Sequence, residues 1–165
     1  MKFRLIVILF AATVAFSCSK DENQSGGSEA IIGTWFATEL QIDNETASDS
    51  AKNGRDALNY LTPRDCYIIK FVFNLDLSVR AENSVNYVEQ NVNEEGTGLE
   101  IPCPTESDVD NSTYTFDGTT LSILSSTGET VTANARINGN TLSIDASGLD
   151  IPNFNASGEL VFKRQ

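Results

Sequence analysis

From Ala30 onward the chain alternates apolar and polar residues with a period of two, the repeat that puts successive side chains on opposite faces of a strand. Tyr67, Ile69, Phe71, Phe73, Leu75, Leu77 and Val79 alternate with Ile68, Lys70, Val72, Asn74, Asp76 and Ser78. Tyr114 and Phe116, Leu121 and Ile123, Val131 to Ile137, and Leu142 and Ile144 repeat the pattern between Thr, Ser, Asn and Arg, and Leu160 and Phe162 close the chain. Such β-branched and aromatic runs fit a pleated, half-buried surface. Between them, Asp117-Gly118 and Asn138-Gly139 supply the positive-φ positions of tight hairpins. Residues 112–147 therefore read as an antiparallel meander of four strands. A sheet that is apolar on one face must pack on another sheet or curl closed.

Two stretches break the alternation. Residues 48–61 carry Ala51, Ala57, Leu58 and Leu61 ahead of Pro63 and read as a short helix, which Gly54 weakens. Residues 84–93 fit a helix through Val85, Val88 and Val92, or a strand through Val85 and Tyr87. Residues 93–110, rich in Glu, Gly, Pro and Asp, read as a loop.

The N-terminal segment has a different grammar. Lys2 and Arg4 precede an apolar run, Leu5 to Phe16, then Ser17 and Cys18. The run is shorter than the ~20 residues a membrane-spanning helix needs, but suits a secretory signal. Ala15-Phe16-Ser17-Cys18 resembles a lipobox, with Ala15 where Leu is usual. That resemblance implies cleavage after residue 17 and acylation (palmitate among the chains) of Cys18. Each buried acyl CH₂ adds about 0.8 kcal/mol of membrane affinity. Residues 18–29 then form a polar, Gly/Ser-rich tether. Its Lys20-Asp21-Glu22 cluster resembles the surface-export signal of Bacteroidetes lipoproteins, or is an ordinary acidic linker. The implied location is the outer membrane, lipid-anchored, with the outer face as one option.

The 165 residues suffice for one domain and carry 11 basic against 23 acidic side chains, a net of −12. Without residues 1–17, which hold Lys2 and Arg4 and no acid, the balance is 9 against 23, or −14. Such a surface repels nucleic acid. There is no His, so His-dependent triads and His metal ligands are excluded. With Cys18 acylated, Cys66 and Cys103 remain as a pair, and an oxidising compartment favours a disulfide between them. Closing that loop is worth about 3.5–4 kcal/mol in the chain-entropy model.

Other candidate chemistry is thin. Ser107-Asp108-Val109-Asp110-Asn111 offers calcium fewer oxygens than the six to eight it needs, so a solvated acidic loop is the better reading. Glu94, Glu95 and Glu100 have no neighbours that would fix an acid/base geometry. No Walker, Rossmann or GxSxG pattern occurs, so the chain reads as a non-enzyme without a cofactor. Asp49-Ser50-Ala51 resembles a short O-glycosylation motif, and Ser50 can equally start a helical turn.

Gly33-Thr34-Trp35, opening the first strand with Ile31 and Ile32, resembles the Gly-x-Trp signature of lipocalins. Cys66 ahead of the Phe-rich Phe71-Val72-Phe73-Asn74, then Cys103, the Asp-Gly and Asn-Gly hairpins, and the closing Leu160-Val161-Phe162-Lys163-Arg164 are similar to lipocalin-like lipoproteins of Bacteroidetes over residues 30–165. One departure stands out: the turn after Asn74 reads Leu75-Asp76-Leu77 where the family usually has Asp-Gly. The resemblance implies an all-β fold, an antiparallel up-and-down barrel of about eight strands with a short helical segment after the first. Trp35 is then structural, packed across the closed end. Trp35, Phe71, Phe73, Tyr114, Phe116, Val131, Leu142 and Phe162 are the residues expected to line a ligand or fill the core. Two functions follow: a lipid-anchored carrier of a small apolar or amphipathic ligand, or a filled barrel whose surface meets a cell-surface protein, an enzyme among the options. Residues 43–64 and 93–110 are the contact candidates in the second.

Overall fold

The structure, a computed structural model, describes residues 26–92, 96, 99–125, 127–154 and 158–165. The expected signal segment 1–17, Cys18, Lys20-Asp21-Glu22 and the Glu94–Glu95 pair lie outside the described residues.

The alternating runs become the strands β1 (Gly33–Ile42), β2 (Ile69–Phe73), β3 (Ser78–Asn83), β6 (Asp108–Phe116), β7 (Thr120–Leu124), β8 (Thr130–Asn138), β9 (Thr141–Asp145) and β10 (Gly158–Arg164). Each pairs antiparallel with its neighbour in chain order, and β10 returns to β1, so the sheet closes into an eight-stranded barrel. The two short strands β4 (Asn91–Val92) and β5 (Leu99–Glu100) pair with each other in the excursion between β3 and β6. The all-β, up-and-down barrel expected from the sequence is the fold observed. Closure leaves no unpaired barrel edge.

The helix after the first strand is also present as α2 (Asp49–Leu61). Ser48 caps it, its hydroxyl accepting from the Ala51 amide at 3.2 Å. Ala51, Gly54, Leu58 and Leu61 form its buried stripe. Gly54 is there because of a close approach: a Cβ at this position would sit 2.6 Å from the Asn153 carbonyl oxygen.

Four expectations are corrected. The alternation over residues 67–79 is two strands, because the chain turns at Asn74–Leu77: the Leu77 amide donates to Asn74 O at 3.2 Å and the Asn74 amide to Ser78 O at 2.9 Å. Leu75 and Leu77 therefore leave the core face and are exposed. The tether expected to run to residue 29 gives way at Gly26 to the helix α1 (Gly26–Ile31), and β1 begins at Gly33 rather than Ile31. Of residues 84–93, the described 84–92 hold both a 3-10 turn, Val85–Tyr87, and the strand β4. Asp108 to Asn111 lies on β6, not in a loop.

The barrel's lower half is filled by rings. Phe71 stacks on Phe162 with centroids 5.2 Å apart, and Phe73 meets Tyr114 edge-on at 4.9 Å. The Tyr114 hydroxyl donates to Asn74 O at 3.0 Å, satisfying its polar end. Cys66 and Cys103 form a disulfide, tying the approach to β2 to the segment between β5 and β6.

Candidate functional site

Antiparallel order gives the barrel two unlike ends. At one, β1 starts, β10 finishes, and α1 crosses: the Gly27 backbone presses on Asp117–Gly118 of the β6–β7 turn, while Ile31 is fully buried. The Trp35 Nε1 donates to Ile31 O at 2.7 Å. The Arg164 guanidinium lies over the Trp35 ring and donates to Ala30 O. This end is closed.

The other end is where β2 and β8 start and β3 and β7 finish. There a half-open cavity of about 290 Å³ enters the barrel. Its apolar lining comes from Phe71 of β2, Ala81 of β3, Ile123 of β7 and Val131 of β8, with Leu149 and Ile151 supplied by the chain after β9. Register explains the grouping: Phe71 pairs with Ala81, and Ile123 with Val131, so each pair stands on the interior face. The same register pairs Ala81 with Asp110 and Asn83 with Asp108, which puts two β6 carboxylates on the interior face at the rim. Asp150 also borders the cavity, whereas Glu82, of opposite parity to Ala81 and Asn83, turns outward to Lys70 and Arg80.

The rim is electrostatically one-sided. Glu82 is held by Lys70 at 2.7 Å and Arg80 at 2.8 Å, and these neighbours keep its carboxyl below the ordinary range. Asp108 is positioned by neutral donors, the Tyr87 hydroxyl at 2.8 Å and Asn86 Nδ2 at 3.1 Å. The first of these hydrogen bonds, and next the carboxylate's charge, raise the Tyr87 phenol above its ordinary value. Asp110 accepts from the Ser112 hydroxyl at 2.6 Å. Among the described residues, no Lys or Arg lines the cavity.

Of the expected lining residues, Phe71 and Val131 reach this cavity. Trp35, Phe73, Tyr114, Phe116, Leu142 and Phe162 are buried core. Ala81 and Ile123 carried the right parity but are small or isolated apolar residues. Leu149 and Ile151 lie outside any strand. The pair Asp108 and Asp110 becomes legible as a rim once β6 is seen to begin at Asp108.

A larger depression of about 530 Å³ lies on the outer wall, lined by Asn134, Ser143, Asp145 and others. It is bridged by the Arg136–Glu159 ion pair, and polar side chains make up most of its lining. Among the described residues no group of His, Cys, Asp and Glu is arranged to hold a metal ion. Nor is any helix there long and apolar enough to cross a membrane. No protein-family model matches the chain, and no curated protein matches it.

Proposed function

We propose that the chain is a lipid-anchored carrier of the cell envelope that holds a small amphipathic molecule in the barrel mouth. The observation that supports this is the cavity itself. It has an apolar floor contributed by four strands, under a rim that carries the carboxylates of Asp108, Asp110 and Asp150. Pockets for small molecules pair such an apolar lining with a few placed polar groups. The floor suits an alkyl or ring portion, and the rim a positively charged or hydrogen-bond-donating end.

Titration of the purified protein with an alkylamine, the alcohol and the carboxylate of the same chain length tests the reading. The amine is expected to bind tightest, and Val131→Trp, which fills the floor, to abolish binding. Replacing Asp108 and Asp110 together by Asn is expected to remove the preference for the amine while leaving the alcohol's affinity near the parent value.

The packed rings below the cavity support a second reading, a filled barrel acting through its surface. Absence of binding across the whole series favours it.

A further inference from the structure

The β2–β3 turn places two leucines where the fold gives them nothing to do. Leu75 is 79% exposed and Leu77 44% exposed. Leu77 also has φ 63, the left-handed region. A three-residue hairpin loop ends on such a position, and glycine normally fills it because a branched side chain is strained there. The sequence thus has leucine at the one place in this turn where glycine fits best, its backbone held by Asn74 and Tyr114 and its side chain partly in solvent. A backbone outlier of this kind points to a role outside the fold.

The turn's place in the molecule says which role. It lies at the closed end: Tyr114, on neighbouring β6, donates its hydroxyl to Asn74 O and its amide to Leu77 O. The described chain also begins at this end, with Gly27 against Asp117–Gly118. Eight Cα–Cα steps, across seven intervening residues, link Cys18 to Gly26. Fully extended they span at most about 29 Å. A lipid on Cys18 therefore tethers the molecule by its closed end, within that reach of the bilayer.

We propose that Leu75 and Leu77 are a membrane-contact tip, entering lipid at the boundary of headgroups and acyl chains, so that the barrel stands on its closed end with the mouth directed away. Asp76, between them, accepts from Ser78 and stays at headgroup level. One carboxylate there suits shallow entry rather than deep insertion. This orientation rests on the lipid-anchor reading of Cys18, and it leaves the carboxylate-rimmed cavity open to the aqueous side.

The test uses the full lipoprotein, purified from a bacterial host that processes lipoproteins and reconstituted into phosphatidylcholine vesicles, carrying Leu75→Trp. Trp35 is fully buried, so the parent protein supplies the background. The introduced indole is expected to emit to the blue and to be quenched about twofold by lipids brominated near the carbonyl, as an indole at headgroup depth would be. Adding Leu77→Gly is expected to weaken that quenching while raising the urea midpoint, a pairing that a purely structural role for Leu77 does not produce. Protein that floats with the vesicles while the indole stays solvent-like overturns the proposal and leaves a protein partner as the occupant of the tip. Protein that does not float, with no acyl mass on Cys18, overturns the anchor reading and the orientation with it.

Discussion

The Arg164 guanidinium sits 4.4 Å above the centre of the Trp35 ring, joining the last strand of the barrel to the first. The same group donates to the Ala30 carbonyl, at the end of α1. One side chain therefore holds together β10, β1 and the helix that closes the barrel. A partly desolvated cation–π contact and a charged hydrogen bond each contribute about 1–2 kcal/mol. Arg164→Ala is expected to destabilise the fold by about 2–3 kcal/mol, read as a lowered urea midpoint in Trp35 fluorescence. Arg164→Lys keeps the charge but not the planar stack, and is expected to recover less than half of the loss.

Gly54 sets two local effects against each other. Alanine is the better helix former by about 1 kcal/mol. Its Cβ would meet Asn153 O at 2.6 Å, a backbone atom that cannot swing aside. The clash is expected to win, so Gly54→Ala lowers stability by about 1–2 kcal/mol net. An unchanged or raised melting temperature would mean that the turn at Asn153 yields.

Glu82 makes the fold acid-sensitive. Hydrogen bonds from Lys70 and Arg80 hold its carboxyl below the ordinary value of 4.5. Its contribution is present above that value and is lost as pH falls through the depressed folded one. Asp76 and Asp117, lowered from 3.8 by hydrogen bonds from Ser78 and from Thr119 with Thr120, act in the same direction at lower pH. Urea midpoints are expected to decline as pH drops through 4.5 and below, and Glu82→Gln to flatten the upper part of that decline.

The disulfide closes a sequence separation of 37. Replacing Cys66 and Cys103 together by Ala is expected to cost about 3.5–4 kcal/mol, chiefly by freeing the unfolded chain. Calorimetry with and without reductant checks it. The parent protein should converge on the variant once reduced.

Much of the barrel was legible in the sequence because its signals are local. Asp117-Gly118 and Asn138-Gly139 mark hairpins in two residues each, and β6 to β9 follow from them and from strict alternation. The turn at Asn74–Leu77 was marked by the family resemblance but not by the alternation, because leucines continue the apolar parity through it although both are on the surface. Gly54 looked like a fault in a helix because its partner, Asn153, is distant in sequence. The mouth was less legible still. Asp108 and Asp110 become a rim through pairing with β3, and Leu149 and Ile151 enter the floor from a segment with no periodic pattern. Contacts set by register across strands, or by loops folding back, leave little trace in any single stretch of chain.

The pairing of β1 with β10 also governs when this protein can finish folding. The other seven barrel junctions join consecutive barrel strands, whereas this one brings Trp35 opposite Arg164. During synthesis, β1 and β9 remain open edges until residues 158–164 arrive. Those edges are open templates for pairing with other chains, and contacts so distant in sequence form late. The seven residues of β10 therefore act as a latch. A chain stalled or clipped before Gly158 holds most of a barrel's sequence, exposes both edges and is prone to aggregation.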